Sequence, residues 1–126
     1  MRTLLILAAI ATLFAGVLNA QEVKTQIAAP VTLDVDADHG TCSIGYRVNA
    51  GGANLREGPG SDFPLIIALP AGKVIAGCEE RDGWLGIIDG QDETCSIGIM
   101  LTAPRPYVGS CLSGWIEQRL LTGVYG

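Results

Sequence analysis

The sequence predicts an all-β domain, a small barrel or sandwich of about five to seven short strands. Short apolar runs recur at close spacing from Thr41 onward, too short for helices and rich in β-branched residues. Turn signals separate them: Asn49-Ala50-Gly51-Gly52, Pro70-Ala71-Gly72-Lys73, Asp82-Gly83 and Asp89-Gly90. No amphipathic helical window occurs downstream of residue 20.

The chain opens on a targeting segment. Arg2 forms a small positive region and Leu4 to Leu18 is apolar, with Leu18-Asn19-Ala20 as a cleavage triplet. This is the pattern of an exported leader over residues 1–20. Its apolar run is shorter than the roughly 20 residues of a spanning helix. No cysteine sits at the cut, so neither a lipidated end nor a stable membrane anchor is expected after cleavage. Residues 21–40 form an acidic lead-in, extended or loosely packed, in which Val31, Leu33 and Val35 alternate and could add an edge strand. Asp34-Val35-Asp36-Ala37-Asp38 begins like a calcium loop. The sixth and twelfth positions are His39 and Gly45, where such a loop needs glycine and a bidentate acid. A solvated acidic turn is expected, and no metal.

The domain proper covers residues 41–126. Strands are expected over Cys42 to Val48, Asn54 to Arg56, Leu65 to Leu69, Val74 to Cys78 and Trp84 to Ile88. Gly58, Pro59, Gly60, Ser61, Asp62 and Pro64 build an ordered irregular loop between the second and third of these. Arg81-Asp82-Gly83 signals a tight hairpin. Thr41-Cys42-Ser43-Ile44-Gly45 recurs as Thr94-Cys95-Ser96-Ile97-Gly98, a pair of comparable cysteine-bearing strands or a coincidence.

Charge and composition exclude several functions. With 8 basic against 13 acidic residues the net charge is −5, and loss of Arg2 with the leader makes it more negative. Nucleic acid or anionic lipid would require clustered Lys and Arg, which the sequence lacks. Cys42, Cys78, Cys95 and Cys111 give an even count in an exported chain and read as two disulfides, with three connectivities open. Zinc is disfavoured because no C-x-x-C pair occurs and His39 is the only histidine. Nucleophilic catalysis needs a base beside its serine or cysteine, but His39 lies in the acidic lead-in and the cysteines are expected to be consumed as bridges, while Glu57, Asp62, Glu79, Glu80 and Asp82 fall at loops and turns as solvated acids. Neither a catalytic constellation nor a cofactor site is expected.

One ordered set of short motifs resembles the bacterial SH3-like (SH3b) domain. Asn54-Leu55-Arg56 is followed by Gly58-Pro59 and by an apolar strand ending at Leu69 and Gly72. Gly83-Trp84 then starts a hairpin strand, and Gly114-Trp115-Ile116 with Leu120 or Leu121 closes the module. The resemblance covers Val48 to Leu121 and implies a small SH3-like barrel. Residues 91–110 depart from the pattern as an insertion, a cysteine-bracketed loop or extra hairpin. Within that frame, a Cys95–Cys111 bridge pins the insertion and a Cys42–Cys78 bridge ties the first strand into the sheet.

The resemblance also implies a non-catalytic binding module of the bacterial periplasm or cell envelope. Its partner would be peptidoglycan stem peptide or an envelope protein. Arg56, Asp62 and Phe63 are expected on the rim of a groove, with Trp84 as an aromatic face and Tyr107 as a surface aromatic of a Pro-rich loop. Arg56 could instead hold loop carbonyls, and both tryptophans could simply cover the barrel core. The alternative function is a secreted inhibitor or interaction protein that uses residues 95–111 as its contact loop.

Overall fold

The computed structural model describes residues 27–35, 40–90, 93–95 and 97–125. The leader, residues 21–26, and the stretch from Asp36 to His39 that carries most of the acidic run lie outside the described residues.

Among the described residues, nine strands form two sheets. They are β1 (Thr32–Leu33), β2 (Ile44–Val48), β3 (Ala53–Arg56), β4 (Leu65–Leu69), β5 (Val74–Arg81), β6 (Trp84–Ile88), β7 (Arg105–Pro106), β8 (Ser113–Glu117) and β9 (Leu121–Tyr125). Seven build one antiparallel sheet in the order β4-β3-β8-β6-β5-β2-β9, and β1 pairs with β7 in a small second sheet. The all-β expectation therefore holds. The barrel, however, is not closed, because edge strands β4 and β9 each pair on one side only among the described residues.

The hairpin between β5 and β6 shows how sequence sets local geometry. Asp82 and Gly83 both take positive φ, 51° and 84°, between the paired residues Arg81 and Trp84. That is the two-residue turn whose twist matches the flanking strands, and Asp-Gly is the dipeptide that tolerates it.

The large sheet curls around an aliphatic core to which each of its strands contributes. Val48, Ala53, Leu55, Leu69, Ile75, Leu85, Ile87, Ile116 and Leu121 pack together there. Side-chain alternation sends Leu85 and Ile87 of β6 inward and Trp84, Gly86 and Ile88 to the opposite face. Cross-strand register puts Gly86 beside Trp115 and Trp84 beside Glu117 on that outer face.

A second core covers part of the outer face. Leu33, Ala76, Ile88, Cys95, Ile97 and Tyr107 form it, with Cys42, Cys78, Leu101 and Cys111 packed against it. Residues 27–35 of the lead-in are thus packed onto the sheet. Val31 and Leu33 are fully buried, whereas Val35 is exposed. Tyr107 donates its backbone N–H to the Val31 carbonyl at 2.7 Å, and Ala29 donates to the Glu57 carbonyl at 2.9 Å. Among the described residues the insertion forms no hairpin of its own, since the partner of β7 is β1 from the lead-in. Glu93–Cys95 is a 3-10 turn.

Both disulfides pair as expected from the cysteines that bracket the insertion, Cys42 with Cys78 and Cys95 with Cys111. Cys95 is part of the second core and the other three pack against it; Cys42–Cys78 joins the approach to β2 with β5, and Cys95–Cys111 ties the insertion to the approach to β8. The repeated pentapeptides are not comparable strands: the first leads into β2, and the second begins on the last two residues of the 3-10 turn Glu93–Cys95. They nevertheless meet. Thr41 donates its N–H to the Ile99 carbonyl, and Gly98 donates to the Thr41 carbonyl, each at 2.9 Å.

Candidate ligand-binding groove

The outer face of β8, β6 and β5 has a covered end and an open end. At the covered end Trp115 is fully buried. Its indole N–H donates to the Ala29 carbonyl at 2.7 Å, and the Arg81 guanidinium lies 4.8 Å from its ring centre, a cation–π distance. Arg81 is ion-paired to Glu79, whose other carboxylate oxygen accepts the Thr32 backbone N–H at 2.7 Å. Gly86 makes room for this arrangement, since a Cβ there would come within 2.9 Å of Val31. Trp115 therefore does not cover the aliphatic core. It anchors the lead-in to the other side of the sheet.

At the open end Trp84 is only half-buried. It joins Asn54, Arg56, Ser61, Glu117, Arg119 and Leu120 around a cleft of about 150 Å³. A second depression continues from Trp84, Glu117 and Arg119 to Gly83 and Gln118. Together they make a groove with an indole wall, amide groups and charges of both signs. Its far wall, the 3-10 turn Gln118–Leu120, is fixed by backbone bonds from Gln118 N–H to Gly83 and from Asn49 N–H to Leu120, both 2.9 Å. Arg119 meets Glu117 at 2.6 Å and is 76 % exposed, so its guanidinium can change partner at little cost.

The expected site residues divide. Arg56 and Trp84 come together in the groove. Arg56 also donates from Nη1 to the Phe63 carbonyl at 3.0 Å, holding the Gly/Pro loop. Phe63 turns its ring over Gly58 and Gly60, so it organises that loop and does not line the groove. Asp62 is exposed outside the lining, and the loop residue that reaches the groove is its neighbour Ser61. Tyr107, expected at the surface, is buried: its ring fills the second core and its hydroxyl accepts the Cys111 backbone N–H at 3.1 Å. The Pro-rich surroundings misled because that backbone pairs with the lead-in, a contact remote in sequence.

Glu117, Gln118 and Arg119 escaped sequence reading. The available signal was weak: a polar trio directly after Gly114-Trp115-Ile116, which reads equally as a solvated turn. Among the described residues no group of three or more His, Cys, Asp or Glu side chains is placed to hold a metal ion.

No family model, curated protein or solved structure matches this chain. The groove's chemistry must speak for itself. An indole wall accepts an apolar side chain or a sugar ring, Arg119 and Arg56 suit carboxylates and carbonyls, and Glu117 suits an amine.

Proposed function

We propose that this chain is a non-catalytic, exported binding module of the bacterial cell envelope that recognises peptidoglycan stem peptide through the Trp84 groove. The observation that supports this most is the convergence of Trp84, Arg56, Glu117 and Arg119 on one open cleft. A stem peptide offers what those groups accept: free carboxylates, an amine, amides and short apolar side chains. The SH3b-like motif order points the same way, and two disulfides are compatible with an oxidising, extracytoplasmic compartment. A protein of the envelope presenting a similar peptide is the closest variant of this reading.

The test is retention on purified peptidoglycan at low and moderate salt. The native chain is expected to be retained and a Trp84→Ala, Arg119→Ala variant to be lost to the wash. Failure of the native chain to bind at either salt would overturn the cell-wall reading.

One observation favours the alternative of an inhibitor or interaction protein. Within the disulfide-pinned insertion Met100 is 62 % and Val108 88 % exposed, apolar residues presented on a braced loop. Under that reading Met100→Asp with Val108→Asp abolishes partner capture, and the Trp84 variant leaves it unchanged.

A further inference from the structure

The large sheet ends at β4, and among the described residues nothing pairs with that strand's outer edge. Natural edge strands are usually blunted by charge, brevity or a covering segment, because free N–H and C=O groups template further pairing. Strand β4 reads Leu-Ile-Ile-Ala-Leu and carries no charge. Leu65 is 53 %, Ile66 39 % and Ile67 47 % exposed. Ile67 lies opposite Leu55 in register, so it faces the aliphatic core. Because the barrel does not close, a core-facing side chain is left half in water. Another strand laid against β4 would cover it.

We infer that β4 pairs antiparallel with β4 of a second copy of this chain, about a two-fold axis at Ile67. An isologous contact of this kind must be complementary to itself, and β4 meets that condition in three ways. Its uncharged centre sets no like charges opposite one another. In the symmetric register Leu65 faces Leu69 and Ile66 faces Ala68, while a shift brings Pro64 or Pro70, which have no amide donor, into the ladder. The two ends of the strand are also opposite in sign. Exposed Asp62 precedes it, and Lys73, bonded to Asp89 at 3.2 Å and still a third exposed, follows it. Antiparallel pairing sets the acidic end of one copy beside the basic end of the other. The contact is independent of the Trp84 groove.

Sedimentation equilibrium of the disulfide-bonded chain over a wide concentration range, combined with amide exchange, tests the contact. The average mass is expected to rise with concentration from that of a monomer towards twice that value, with β4 amides gaining protection in step. Each copy carries a net −5 charge, so added salt is expected to strengthen association by screening the repulsion. Ile67→Lys is expected to lower the association constant by about tenfold or more. Leu65→Lys, more exposed and less tied to folding, is expected to act in the same direction. Asp62→Lys and Lys73→Asp should each weaken association about two- to fivefold, and together restore it. A monomer at every concentration overturns the inference, as does a dimer whose β4 amides stay unprotected or whose strength ignores the lysine variants.

Discussion

Trp115 and Trp84 begin alike and end differently. Each follows a glycine, and they sit on neighbouring strands with their side chains on the same outer face. Trp115 is sealed by Ala29, Val31 and Arg81, whereas Trp84 stands open beside Glu117 and Arg119. The difference comes chiefly from the lead-in, which is paired to the insertion through β1 and β7 and covers only part of that face. A strand's own sequence decides which face a tryptophan occupies. A remote segment decides whether that tryptophan stabilises the fold or is left for a ligand.

The contrast can be broken most severely at the covered end. Trp115→Ala removes a fully buried indole together with the anchor of the lead-in, and is expected to cost about 3–5 kcal/mol. Urea denaturation followed by far-UV circular dichroism would measure it. Replacing Cys95 and Cys111 together with serine releases the insertion, with an expected loss of about 3 kcal/mol for a loop of that size. A calorimetric midpoint no lower than that of the parent would show that the insertion needs no brace.

Smaller perturbations sharpen the comparison. Glu79→Ala removes the acceptor of the Thr32 amide and the partner of Arg81, and is expected to cost about 1–3 kcal/mol, with Glu79→Gln recovering part of the loss. Acrylamide quenching should then reach the Trp115 indole in the alanine variant while Trp84 quenching stays unchanged. At the open end Trp84→Ala is expected to cost about 1 kcal/mol or less. Its effect should appear in ligand retention and hardly in the thermal midpoint.

Much of the sheet was legible in the sequence because its determinants are local. Strands β4 and β6 have the bounds their apolar runs and flanking Pro, Gly and Asp residues define. Asp82-Gly83 forms the expected hairpin turn. What escaped is non-local. The alternation of Val31, Leu33 and Val35 offered the strand that β1 supplies, but not its partner, because Arg105 and Pro106 sit in a Pro-rich stretch that reads as exposed loop. The roof over Trp115 and the burial of Tyr107 follow from that one pairing. The groove was half legible: Arg56 and Trp84 stood out by residue type, while Glu117 to Arg119 became site residues only once the Gln118–Leu120 turn was fixed against Gly83 and Asn49.

The chain has only two tryptophans, so its two indole N–H resonances form an internal control. Titration of the ¹⁵N-labelled protein with soluble peptidoglycan stem peptide should shift the Trp84 indole signal saturably and leave that of Trp115 in place. A spectrum in which neither indole moves, or in which both move together, would contradict a built groove at the open end of this face.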